Sequence, residues 1–178
     1  LKLIECPIRH LGTEEGYKIY SRLQEHLLAE GVEMEFNTMV KDILMEDGQV
    51  KGVVTDKDET YLAGEVISAV GREGADWFSH ICEQHGIETK VGTVDVGVRV
   101  EVRDEIMDFL NQNLYEAKLV YHTPTFDDKV RTFCTNPSGE VATEYYDNGL
   151  AVVNGHAYKS KDLKTNNTNF AILVSKNF

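Results

Sequence analysis

Arg99, Cys134 and His10 are the side chains of this 178-residue chain whose types and settings suit a small-molecule pocket. Arg99 lies on the run Val94–Arg103, on the face opposite the alternating valines. A guanidinium there matches a carboxylate bidentately, while a cross-strand pair with Asp95 or Glu101 would be its plainer use. Cys134 stands just before a tight turn in Phe133-Cys134-Thr135-Asn136-Pro137-Ser138-Gly139, with Arg131 three residues away. Thiols become reactive in electropositive, partly exposed surroundings; otherwise a cysteine is a small buried apolar group. His10-Leu11-Gly12-Thr13 leads straight into a helical pattern, and a helix N-terminus preceded by glycine can hold an anion or a cofactor group, or simply be a capped loop. His80, Cys82 and His85 are metal-ligating types, but on a helix they diverge, and no second cluster completes a tetrahedral set. No metal site is expected.

These residues are positioned by a mixed set of elements. Leu1, Leu3 and Ile4 read as a strand broken at Pro7. Thr13 is placed to cap a helix whose first turn carries Glu14 and Glu15, and Ile19, Tyr20, Leu23 and Leu27 recur at helical spacing up to Gly31. A strand meander follows: Val32, Met34 and Phe36, then Val40 and Ile43, a turn at Asp47-Gly48, and Val50, Val53 and Val54. It closes on Val66-Ile67-Ser68-Ala69-Val70, which lacks alternation and so reads as a strand buried on both faces, ending at Gly71. Residues 74–85 predict a short helix with Trp77, Phe78, Ile81 and Cys82 on its apolar side. Val94 to Val102 alternate perfectly, which predicts a strand, and Asp104 is a plausible cap for a helix through Ile106, Phe109 and Leu110. From Ala117 onward the pattern is antiparallel: Lys118–His122, Val130–Cys134, Val141–Tyr146, a turn at Asp147-Asn148-Gly149, and Leu150–Val153. The polar stretch 159–169 predicts a mobile loop before a last strand at Phe170–Val174.

Composition narrows the partners. Thirty acidic against eighteen basic residues leave a net charge of −12, which repels phosphate backbones and argues against nucleic acid. No apolar run approaches the ~18 residues that cross a bilayer, so no membrane partner is expected. Cys6, Cys82 and Cys134 lie far apart without a Cys-x-x-Cys pair, which suits free thiols and a cytoplasmic setting. The chain begins on Leu1, so an excised interior piece is expected.

In order, His10–Thr13, the meander ending Ala69-Val70-Gly71, Val96-Gly97-Val98-Arg99-Val100-Glu101, Phe133-Cys134 with Pro137 and Gly139, and Val153-Asn154-Gly155 resemble the uncharacterised bacterial FAD-dependent dehydrogenases of the glutathione-reductase-like superfamily. The resemblance implies an α+β fold: residues 1–72 as a partial FAD/NAD(P)-binding lobe, and residues 73–178 as a mainly antiparallel substrate or cap domain with short helices. It implies FAD as cofactor, with NAD(P)H as a possible electron donor, a small-molecule substrate, and the remaining flavin-binding segments of the parent chain as partner. Val40 would touch the adenine through its backbone, and Ala69, Val70 and Gly71 would pass near the cofactor, while His10, Arg99 and Cys134 would serve the pocket. No Gly-x-Gly-x-x-Gly joins a strand to a helix here, so the piece alone is expected to be inactive. Gly71-Arg72-Glu73-Gly74 and Asn136 depart from the family pattern, and leave a non-catalytic binding or interaction module derived from a flavoprotein lobe as the alternative.

Overall fold

The computed structural model describes residues 2–5, 10–146 and 149–177. The break expected at Pro7, Cys6, and the first two residues of the turn expected at 147–149 lie outside these. The architecture is α+β, with antiparallel sheets and few helices. The chain divides into two compact units, Leu1–His26 with Val91–Phe178, and Leu27–Lys90. The boundary expected at residue 72 falls inside the second unit.

The larger unit is built on a five-stranded antiparallel sheet. It comprises β1 (Lys2–Leu3), β5 (Val94–Arg103), β6 (Leu119–His122), β7 (Lys129–Asn136) and β10 (Asn167–Lys176), in the order β1-β6-β7-β10-β5. A separate hairpin pairs β8 (Glu140–Tyr145) with β9 (Ala151–His156). Helix α3 (Asp104–Asn111) follows β5 directly. Strand β10 lies between β7 and β5 and is paired with β5 along all ten residues. Its pairing with β7 slips between Asn169 and Ala171, where Asn136 and Phe133 are the partners, so Cys134 and Thr135 form a β-bulge. Cys134 there has φ +50°, unusual for a residue with a Cβ.

The smaller unit holds the meander β2 (Val40–Glu46), β3 (Gln49–Thr55) and β4 (Thr60–Leu62), and helix α2 (Ala75–Gln84). Asp47 and Gly48 turn the first hairpin, both with positive φ. The second turn is organised by Thr55, whose buried hydroxyl accepts from the backbone N–H of Lys57 and Glu59. Helix α2 is tied to β2 by Trp77, which donates to the Lys41 carbonyl at 3.1 Å, and by His85 against Asp42 at 3.3 Å. Ile81 and Cys82 are its buried residues; sequestering a side chain the size of Ile81 is worth about 1.5–3 kcal/mol. Helix α1 (Thr13–Ala29) spans the boundary between the units and has no buried residue.

Several expectations are corrected. Val66–Val70 forms no strand: residues 65–70 are irregular and lie outside every ladder, with Ile67 91% exposed. A run buried on both faces needs strands beside it, and none of the described residues supplies them. Val32–Phe36 is likewise no strand. On β5 both faces are partly open: Val96 (55%) and Val98 (61%) are exposed while Val100 and Val102 are half-buried, and on the opposite face Asp95, Glu101 and Arg103 are exposed while Arg99 is half-buried and reaches Asn154 on β9. The stretch 159–169 is not a loop throughout, since β10 begins at Asn167 and Thr168 and Asn169 are completely buried. Neither expected cap forms. The Thr13 hydroxyl donates to the Ala157 carbonyl at 3.2 Å. Asp104 is the first residue of α3, and its carboxylate accepts from Ser138 and Thr168, both at 2.7 Å.

Candidate functional site

Four short motifs from distant parts of the chain converge around Arg99. Arg99 on β5 donates to Asn169 Oδ1 on β10 at 2.7 Å, to the Cys134 carbonyl on β7 at 3.3 Å, and to Asn154 Oδ1 on β9 at 3.3 Å. Asn136 donates to the same Cys134 carbonyl and to Asn169 Oδ1. The bulge makes this possible by turning the Cys134 carbonyl and the Asn136 amide toward the guanidinium. Gly155 is packed so close that a Cβ on it would overlap Asn136, Asn169 and Arg99. The guanidinium therefore sits among neutral acceptors, and the carboxylate pairs considered for it do not form: Asp95 pairs with Arg131 at 2.5 Å and Glu101 accepts from Asn167. Charged hydrogen bonds contribute about 1.5–3 kcal/mol each, so Arg99 acts as a latch joining four strands. Arg99 Nε and Asn169 Nδ2 are buried without a partner among the described residues.

Cys134 is half-buried and unpaired, and its backbone N–H donates to Glu116 Oε1 at 3.0 Å. Arg131, expected to be its electropositive neighbour, is taken up by Asp95 and by the Phe133 ring. The strand alternation points the two side chains apart.

A cavity of about 210 Å³ opens beside the latch, lined by His10, Gly12, Asn111, Tyr115, Pro137, Ala157, Tyr158, Lys159 and Lys164. His10 stacks on Tyr115 at 5.6 Å between ring centroids, 15° from parallel. Its Nδ1 accepts from the Gly12 N–H at 2.9 Å, which leaves Nε2 for the ring proton. Burial, with Cys134 and Glu116 adding to it, raises the Tyr115 phenol to about 12, so it remains a hydrogen-bond donor at any physiological pH. Glu14 fastens the rim: its Oε1 accepts from the backbone N–H of Lys159 and Ser160, each at 2.7 Å. His10 and Cys134 thus communicate through Tyr115-Glu116, one residue stacking on the first and its neighbour holding the second. Tyr115, Lys159 and Lys164 were not singled out from the sequence, for they fall in stretches with neither motif nor periodicity.

Val40, Ala69, Val70 and Gly71 lie in the smaller unit. Val40 pairs with Thr55 at the start of β2. Ala69 and Val70 lie in the irregular segment 65–70, outside every ladder. Gly71 turns with φ +64°, and nothing lies within 4 Å of a Cβ built there. A further hollow in this unit, about 530 Å³ and lined by Glu46, Lys51, Leu62, Ala63 and Gly64, gathers none of the expected residues.

The model of the pyridine nucleotide-disulphide oxidoreductase family matches residues 2–107, more than half of the chain. The chain belongs to that family. Its members typically bind FAD and use NAD(P)H, so the resemblance read from the motifs holds at the level of an FAD/NAD(P)-dependent oxidoreductase family. The match takes in His10, Val40, Ala69–Gly71 and Arg99 and stops short of Cys134. An uncharacterised protein of Clostridium beijerinckii is 23% identical across 93% of this chain, and the chain spans 32% of that relative's length. No helix among the described residues is long and apolar enough to cross a membrane.

Proposed function

We propose that this chain forms part of a flavin-dependent dehydrogenase, with residues 73–178 shaping a substrate pocket and the flavin held mainly by other segments of the same protein. The observation that carries this reading is the family match over His10 and Arg99, combined with a cavity whose wall begins at His10. Bound FAD would supply hydride transfer, to or from a small molecule or a nicotinamide. The chain's own contribution is to enclose the substrate beside the His10–Tyr115 stack and to keep that wall rigid through the Arg99 latch. Val40 and Ala69–Gly71 offer backbone contacts to the flavin. The unpaired thiols of Cys82 and Cys134 suit a reducing cytoplasm. Cys134 has no partner thiol nearby among the described residues, so a cycling disulfide is not part of the proposal.

The test is an absorbance spectrum of the full-length protein, followed by anaerobic addition of NADH and of NADPH. A flavin band that bleaches with one of them is the expected result and names the donor. A colourless protein that FAD does not reconstitute overturns the reading.

A further inference from the structure

The cavity beside the latch is lined by hydrogen-bond donors and cations and by no carboxylate, in a chain of net charge −12. The Lys164 ammonium forms no ion pair with any described residue, and Lys159 makes none at contact distance, its charge acting from further off on Glu14. Tyr115 is a phenol held in its neutral, donating form, and its hydroxyl has no hydrogen-bond partner among the described residues. His10 accepts at Nδ1 and so presents Nε2–H. Two carboxylates lie nearby: Glu14 accepts through Oε1 from the backbone of Lys159 and Ser160 and buries Oε2 behind Gly12 without a partner among the described residues, and Glu140 accepts from the Tyr158 hydroxyl at 2.7 Å. Asn111 is committed to Thr168 Oγ1 at 2.9 Å.

Unpaired donors of one sign around a concave volume favour an anion, because each gains a partner it lacks in the free protein. The volume is below the ~300–1,000 Å³ of pockets for drug-sized ligands, and far too small for a dinucleotide. The stacked His10–Tyr115 pair adds a flat wall for a carbon skeleton.

We infer that the cavity formed by His10, Tyr115, Tyr158, Lys159 and Lys164 binds a small organic anion, a carboxylate or a phosphate ester, through the two lysine ammonium groups and the Tyr115 hydroxyl. This rests on the reading of the cavity as the substrate pocket and specifies the class of substrate it admits.

Calorimetric titration of the full-length protein at low salt, with succinate, inorganic phosphate and neutral succinamide as probes, tests the inference. Saturable binding of either anion, without binding of succinamide, is the expected result. Succinate alone assigns a carboxylic acid, and phosphate alone a phosphate ester. The exposed double variant Lys159→Gln/Lys164→Gln should weaken binding about tenfold or more, and Tyr115→Phe severalfold, with thermal unfolding of each variant confirming an intact fold. Absence of saturable binding to both anions overturns the inference, as does undiminished binding in the double lysine variant. Either result leaves the flavin reading to its own spectrum, so the two fail separately.

Discussion

Gly155 is the residue on which the latch depends most directly. With a Cβ overlapping Asn136, Asn169 and Arg99, Gly155→Ala must push the amides away from the guanidinium or distort β9. Overpacking of this kind costs about 1–3 kcal/mol, so the midpoint of thermal unfolding should fall by several degrees. Arg99→Ala should cost a similar amount, on the order of 1–3 kcal/mol, by leaving Asn169 Oδ1 and the Cys134 carbonyl with weaker partners. Glu14 sets an acid-side limit. Hydrogen bonds from the Ser160 N–H, and then from its own and the Lys159 N–H, hold its carboxyl below the ordinary value of 4.5, against the opposing effect of burial. A carboxyl with a depressed folded pKa stabilises fully above its unfolded value, and that stabilisation is lost as pH falls through the folded one. Tethering of residues 159–160 should therefore loosen below pH 4.5, read as faster amide exchange there, and Glu14→Gln should remove the pH dependence. Of the site, Arg99, Cys134 and His10 were legible because guanidinium, thiol and imidazole announce their chemistry. Asn169 was not: it sits in a polar stretch that reads as a loop, and its burial depends on β10 lying between β5 and β7.

At the level of elements, alternation identified β5, β7 and β8 well, because period two is a property of the strand itself. It could not say that Arg99 would be the half-buried residue of its face of β5, since that depends on where the β8–β9 hairpin comes to rest. The bulge at Cys134 left no trace in the pattern either, since one extra residue looks like any other in a strand. Val66–Val70 misled for a related reason: the sequence records what a segment is suited to pack against, and the described residues do not provide it. Gly52 shows how tightly the meander is made. It sits at φ +152°, and a Cβ there would overlap the Tyr61 carbonyl on β4. Gly52→Ala should detach β4 from β3 at a cost on the order of 1–3 kcal/mol, visible as lost amide protection at 60–62.

Across the whole molecule, apolar side chains remain uncovered on several elements: Tyr17 (81% exposed) and Tyr20 on α1, Leu62 on β4, Ile67 in the irregular segment 65–70, and Val94, Val96 and Val98 of β5. Exposed apolar surface of this extent marks interaction faces. The 178-residue chain expressed by itself should therefore self-associate, and sedimentation velocity should show concentration-dependent species that mild detergent disperses. The same isolated chain should show no flavin turnover, because it contains no glycine-rich turn between a strand and a helix to cradle a diphosphate. Addition of FAD and NADH to it, monitored by nicotinamide absorbance, checks this directly.

The hold on Asn154 also bears on how the protein ages. An asparagine followed by glycine is the sequence most prone to lose its amide, by attack of the glycine nitrogen on the side-chain carbon. Here the amide oxygen is held by Arg99 and by the Gly155 N–H at 2.8 Å, and the amide nitrogen donates to Glu144 at 2.8 Å. Those bonds restrain the amide from turning, so the native protein should keep Asn154 intact through long storage. In Arg99→Ala the amide is freer to turn, and peptide mapping after warm incubation should find aspartate and isoaspartate accumulating at this position.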